Sequence, residues 1–328
     1  MIIDLENHFA MEDPKVEKSF KSGKICERFW GEDGKMHIRI SQESSRIERY
    51  LQFMDEAAID MAGLTNHTTT LEEWRKWHDF CADLVEKYPK RFVGFATVSP
   101  LGGKPAFDEL ERAVKELGMR CVHVYTRNNN LFLDDKVMWP FYEKVCELDI
   151  PVNVHIEAFP EGFEALHAPY ALYYVVAREL DMIASVLRVC FGGVLEDFPD
   201  LKLIMNHFGG GVTGVIERFD AYTGFAEEPG WAGFYRDKPL TTKPFTEYFD
   251  KLYFNMAGRE YGIAALKGAL TRISPKKLVF GTDWPLNYDY APEKVKEYVA
   301  DIRKLDLPKE DIDAMLGGNA KALLRIEK

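Results

Sequence analysis

Short runs of apolar, β-branched and aromatic residues alternate with longer stretches whose apolar positions recur at helical spacing, almost from one end of the chain to the other. The runs predict strands at 2–6, 58–63, 91–98, 119–125, 151–156, 202–206, 251–256 and 277–282. The helical periodicity predicts helices near 43–56, 72–88, 105–117, 137–148, 171–197, 210–222 and 260–273, with 292–305 and 308–325 after the last strand. Strand followed by helix, eight times over, makes a parallel sheet with helices outside it. Right-handed crossovers then either close the sheet or leave it open and doubly wound. No GxGxxG or GxxxxGK[ST] follows a strand, and Gly209, Gly210 and Gly211 lack the rest of a phosphate-binding spacing. The expectation is therefore an α/β protein with the closed (β/α)8 architecture of a TIM barrel, one domain over 1–328.

Two segments break the rhythm. Residues 9–42 separate the first strand from its helix, are rich in charge, and hold Gly23, Gly31 and Gly34. A long βα insertion sits at the active face of a barrel, so this one is expected to form a flap over the mouth. Residues 225–247, with Pro229, Gly230, Trp231, Pro239 and Pro244, read as an extra connection or helix extension that serves packing or subunit contact.

Composition narrows the function classes. A net charge of -11 disfavours phosphate backbones and anionic lipid, so neither nucleic acid nor a membrane surface is an expected partner. The start, Met-Ile-Ile-Asp-Leu-Glu, lacks the basic and apolar regions of a signal peptide, and the expected location is the cytoplasm. Five scattered cysteines, none in CxxC spacing, argue against a disulfide framework and a thiolate metal site.

Barrel chemistry comes from the C-terminal ends of strands, and these ends are loaded. The first strand runs Asp4-Leu5-Glu6-Asn7-His8, where a period of two puts Asp4, Glu6 and His8 on one face. The fifth ends at His155, the sixth at His207, and the eighth at Asp283, followed by Trp284 and Pro285. Any one of these has a bland reading, as a hydrogen-bonding histidine, a turn cap or a floor ion pair. Together, imidazoles and carboxylates suit Zn2+, Mn2+ or Fe2+ better than the all-oxygen shells of Mg2+ and Ca2+.

Five motifs occur in order: Leu5-Glu6-Asn7-His8-Phe9, Val154-His155, the run from Phe198 to Gly210 that contains Asn206-His207, Phe280-Gly-Thr-Asp283-Trp-Pro285, and Gly318-Asn-Ala-Lys-Ala-Leu-Leu324. This set resembles the amidohydrolase superfamily in its aminocarboxymuconate-semialdehyde decarboxylase-like branch. The resemblance implies a distorted TIM barrel with one divalent metal ion, commonly zinc or manganese, with iron also compatible. It implies Glu6, His8, His155 and Asp283 as ligands, His207 as the catalytic histidine beside the metal, and Asp283 or His207 as the proton carrier. The Glu-x-His variant of the first motif is similar to the resorcylate-type aromatic decarboxylases of the branch. Those enzymes carry His-x-Gly-Glu on the sixth strand, whereas this chain has His207-Phe-Gly-Gly-Gly211.

The implied activity is non-oxidative decarboxylation of a small aromatic or unsaturated carboxylic acid. A hydrolase or hydratase on the same scaffold, a catalytically silent partner barrel, and an iron-dependent oxidative enzyme are the alternatives, and a second metal involving Asp4 is also open. Candidate substrate contacts are Arg127, Arg178, Arg259, His123, Tyr125, Asn255 and Trp284, with Phe9 and Phe208 as further aromatic walls. Arg39, Arg46 and Arg49 could reach inward from the flap, and His67 is a weaker rim candidate; His37 and His167 fall in expected loops and receive no role. Branch members often self-associate, so a homo-oligomer, a dimer, is expected.

Overall fold

The computed structural model describes residues 1–13, 15–167, 170–225, 240–256, 262–286 and 291–327. Eight strands form one sheet in sequence order: β1 (Ile3–Asp4), β2 (Met61–Leu64), β3 (Phe92–Thr97), β4 (Cys121–Tyr125), β5 (Val152–His155), β6 (Leu203–Met205), β7 (Tyr253–Asn255) and β8 (Leu278–Val279). Every pairing in it is parallel. Most of these residues are buried on both faces, which is why the strands read as unbroken apolar runs rather than as alternation.

Closure is made just beyond β1 and β8. Leu5 N–H donates to the Phe280 carbonyl at 3.0 Å, Asp283 N–H to the Glu6 carbonyl at 2.8 Å, and His8 N–H to the Trp284 carbonyl at 2.6 Å. Asn7 and Trp284 form a parallel bridge. The two segments that carry Glu6, His8 and Asp283 are thus stitched to each other.

Helices α1 (Ile47–Ala57), α2 (Leu71–Lys87), α3 (Gly103–Lys115), α4 (Trp139–Leu148), α5 (Arg178–Phe191), α6 (Ile216–Phe225), α7 (Gly262–Ala269) and α8 (Pro292–Arg303) follow the strands in turn. Helix α2 starts on a capping box in which Thr70 accepts from Glu73 N–H and the Glu73 carboxylate from Thr70 N–H. The main core lies between sheet and helices. A smaller cluster, including Ile3, Met61, Phe95, Cys121, Ile204 and Val279, fills the N-terminal end of the barrel and is closed by Ala320, Leu323 and Leu324. The floor is therefore packed solid, and chemistry is left to the opposite rim.

Three helix expectations need correction. The 171–197 helix is broken: a π-helical turn, Tyr173–Ala177, precedes α5, and Gly192 and Gly193 separate α5 from a short turn at Val194–Asp197. The 210–222 helix begins only at Ile216, because His207–Gly211 turn left-handed and Val212–Gly214 form a 3-10 turn. The 308–325 helix is interrupted by a π-turn at Ala314–Gly318. In the 9–42 insertion lies an antiparallel hairpin, Cys26–Trp30 against Met36–Ile40, so His37 is on a strand rather than in a loop. Of the 225–247 connection, 226–239 lie outside the described residues; its far end packs as Phe245–Phe249. All five cysteines are free thiols.

Candidate metal centre and cavity

Glu6, His8, His155 and Asp283 converge. Each offers one donor atom, and the four atoms lie within 4.8 Å of one another. His8 Nε2 is 2.7 Å from Asp283 Oδ1, and Glu6 Oε1 is 3.3 Å from His155 Nε2 and 3.9 Å from His8 Nε2. All four side chains are buried. His155 Nδ1–H donates to the Ile156 carbonyl at 2.7 Å, which leaves the Nε2 lone pair for the centre. His8 Nδ1 faces His67 Nε2 at 2.9 Å, and His67 in turn bonds the Tyr125 hydroxyl. The Asn206 amide donates to the outer oxygen of Glu6. The inner oxygen, Oε1, is buried and has no hydrogen bond of ordinary geometry.

Burial, then the charge of Asp283, pushes the Glu6 carboxyl well above the ordinary range. Burial and the surrounding imidazoles push His155 well down, so it stays neutral, the form that ligates. Burial opposes the charge of Asp283, but its hydrogen bond to His8 and the charges of His8, His207 and Arg178 hold it below its usual value. Two carboxylate oxygens and two imidazole nitrogens, packed without enough positive charge, fit a borderline divalent cation. Asp4 stands outside this donor group. It accepts from Thr282 N–H at 2.9 Å, Thr282 Oγ1 at 2.7 Å and Glu6 N–H at 3.0 Å, so it braces the closure rather than offering a second site.

His207 sits beside the cluster, with its ring edge-on to His155 at 6.0 Å between centroids. It opens a left-handed turn: φ is 55° at His207, 53° at Phe208, 66° at Gly209, 70° at Gly210 and 79° at Gly211. Asp283 also has a positive φ of 56°. Left-handed backbone at non-glycine residues costs about 1 kcal/mol or more each and concentrates at functional sites. His207 Nδ1 is 3.0 Å from Glu179 Oε1. Burial alone would depress this imidazole; Glu179, with Asp283 and Glu6, outweighs it and pushes it up to about 9.

Above the cluster opens a cavity of about 430 Å3. His8, His155, His67 and Tyr125 reach it from the barrel, and Phe9, Ile156 and Phe159 wall it from the strand-end loops. Met36, His37, Ile38 and Ile40 wall it from the hairpin. Arg178, the first residue of α5, also lines it. Its guanidinium lies 4.7 Å over the Tyr174 ring and its buried Nε has no hydrogen bond, so a cation faces the cavity without a carboxylate partner among the described residues.

The other expected contacts divide. Tyr125 and Phe9 line the cavity. His123 lies beneath it, buried, with its ring 5.6 Å from that of His155 and its Nδ1 3.2 Å from the Asn153 amide. Asn255 is fully buried in the barrel wall. Arg127 does not line the cavity: it pairs with Asp181 at 2.7 Å and lies over Phe132. Trp284 packs outward against Tyr50, 4.4 Å between centroids, and Phe208 is likewise core. Arg39, Arg46 and Arg49 meet Glu17, Glu27 and Glu43 near the surface. Arg259 lies outside the described residues. Glu179, Asn206 and Tyr174 escaped sequence reasoning. Asn206 adjoins His207 in its motif and could have been found, whereas Glu179 sits in a helical stretch with nothing to distinguish it from a solvated acid.

A metal-binding barrel of this kind defines a class, and comparison with known proteins names it. The amidohydrolase family model matches residues 33–326, and the chain belongs to that family. Gamma-resorcylate decarboxylase of Polaromonas sp. (strain JS666) is 27% identical over 310 residues, 89% of this chain and 90% of that one. A 2-keto-4-carboxy-3-hexenedioate hydratase of Sphingobium sp. is 29% identical over 254 residues, 70% and 71% of the two chains. Among solved structures, a dihydroxybenzoic acid decarboxylase from Polaromonas sp. JS666, with bound manganese and the inhibitor 2-nitroresorcinol, superposes with a TM-score of 0.72 at 22% identity, covering 100% of this chain and 97% of that one.

Proposed function

We propose that this chain is a metal-dependent, non-oxidative decarboxylase of a small aromatic or unsaturated acid that carries a hydroxyl or oxo group beside the carboxyl group. One observation carries the reading: four convergent donors at the foot of a mainly apolar cavity whose wall holds an arginine without a carboxylate partner among the described residues. A divalent cation, zinc or manganese, held by Glu6, His8, His155 and Asp283 would supply Lewis acidity toward the substrate's carboxylate and neighbouring oxygen.

The chain's own residues do the rest. Arg178 holds substrate charge, and it does so strongly because its guanidinium is already desolvated. Phe9, Ile156, Phe159 and the hairpin's Met36 and Ile38 enclose the ring and exclude water. When the carbon–carbon bond breaks and CO2 leaves, its electron pair stays on the ring or enol carbon, which must take up a proton. His207, backed by Glu179, delivers it; Asp283, tied to His8, acts as ligand. No helix among the described residues is long and apolar enough to cross a membrane. Self-association as a homodimer belongs to the proposal and is read by sedimentation.

The test is CO2 release from hydroxybenzoates, 2,6-dihydroxybenzoate among them, and from muconate-like acids, using manganese- or zinc-loaded protein. The hydratase reading is favoured by the 29% identity to the Sphingobium enzyme and by Gly210 in place of the acidic residue. Loss of a conjugated double bond with 18O uptake from water, and no CO2 from any acid, would decide for it.

A further inference from the structure

Helix α5 begins with two consecutive residues that point to different tasks, Arg178 into the cavity and Glu179 onto His207. We infer that Glu179 is the positioning residue for His207: its carboxylate accepts the imidazole Nδ1–H and so commits the ring's other nitrogen to the side of the ligand cluster. The inference rests on the proposed role of His207 and deepens it.

The geometry supports this from both partners. His207 is buried on a turn whose backbone is left-handed for five residues, so the backbone fixes where the ring starts but leaves its rotation to be set by a hydrogen bond. An acid cannot come from position 210 of the turn. A Cβ at Gly210 would stand 2.2 Å from the Glu179 carbonyl oxygen and 3.1 Å from its carbonyl carbon, and φ there is +70°. Backbone atoms of Glu179 thus occupy the space that a side chain at 210 would need, while the side chain of Glu179 supplies the carboxylate.

Nor can the next acid of α5 substitute. Asp181 is spent on the Thr126 hydroxyl at 2.8 Å and on Arg127 Nε at 2.7 Å. The π-helical turn Tyr173–Ala177 just before α5 sets the angular register that sends residues 178 and 179 to their separate targets; such turns recur at functional sites. Glycine at 210 and glutamate at 179 form one device, built from two elements distant in sequence.

The experiment compares Glu179→Gln, Glu179→Asp and Glu179→Ala in the zinc-loaded protein, with zinc content and melting temperature as controls for folding. Ring nitrogen signals of 15N-histidine-labelled protein report where the His207 proton sits without any turnover. The expected result is a proton on Nδ1 in the parent and its loss in Glu179→Ala. With the acid that the panel shows to be the best substrate, kcat should fall about 100-fold in Glu179→Ala, KM should stay within about threefold, and Glu179→Asp should recover part of the rate. An Nδ1 proton that survives Glu179→Ala, or a rise in KM with kcat untouched, overturns the inference. If no acid releases CO2, the nitrogen signals still decide the role of Glu179, while the decarboxylase reading fails separately. Should Glu179→Ala not fold, Glu179→Met, close in volume but without a strong acceptor, takes its place: an Nδ1 proton that survives there, or an unchanged kcat, overturns the inference.

Discussion

Two clusters in this barrel bury histidine against carboxylate, and they are built on opposite plans. On the outside of the sheet, Glu109 of α3 receives His78 Nδ1 at 2.7 Å, two nitrogens of Arg112 at 2.9 and 3.0 Å, and Arg75 Nε at 3.2 Å. His78 Nε2 accepts Thr97 N–H at 3.0 Å. Burial opposes the Glu109 charge, but His78 and Arg112 outweigh it and hold the carboxyl down at about 2. At the rim, Glu6 has no lysine or arginine partner among the described residues, and its carboxyl is pushed up. Where the fold needs only stability it supplies cations of its own. Where it leaves buried carboxylates under-neutralised beside neutral imidazoles, a cation from outside completes the set.

The sharpest way to break this contrast is Asp283→Asn. Loss of one ligand from four should empty the site and lower CO2 release by about 1000-fold or more; elemental analysis that still finds one metal per chain would falsify the ligand assignment. Arg178→Met should raise KM about 30-fold, the cost of one charge-assisted anchor at roughly 2 kcal/mol, with metal content unchanged. Equal KM values for parent and variant would remove Arg178 from the substrate contacts.

On the structural side, Glu109→Gln should cost about 2 kcal/mol of stability and leave metal content and turnover intact. Because the folded carboxyl lies near 2 against an ordinary 4.5, its contribution is complete above pH 4.5 and drains as pH falls from there toward 2. Melting curves of parent and variant should therefore converge in acid, and parallel curves would contradict the pairing. The smallest effect has the opposite sign. In metal-free protein Glu6→Gln should raise the melting temperature by a few degrees, roughly 1 kcal/mol, because it removes a desolvated acid whose ionisation opposes folding. The gap should widen as pH rises past the ordinary carboxyl value, and added metal should stabilise only the parent.

Much of this was legible in the residues alone. Strands buried on both faces announce themselves as apolar runs, and the strand-end positions of Glu6, His8, His155 and Asp283 bring them together in space as expected. What sequence could not show is rotation. The π-turn at Tyr173–Ala177 lies inside a stretch with ordinary helical spacing and the left-handed turn at His207–Gly211 overlaps the start of another; Arg178 faces the cavity, while Arg127, equally plausible in the sequence, pairs with Asp181. Trp284 illustrates the same blindness: it adjoins Asp283 of the donor cluster, yet its ring turns away to pack on Tyr50. Adjacency along the backbone fixes where a Cα goes, not which way its side chain faces.

The hairpin Cys26–Trp30 and Met36–Ile40 pairs with itself, and Arg28 donates to the Leu286 carbonyl at 2.8 Å. None of the four strand-end donors lies in it. Its Met36, Ile38 and Ile40 shape the cavity wall, and side chains there can be exchanged without replacing any of the four donors. An ancestor with this donor set could hand down its chemistry intact while its descendants revised their diet.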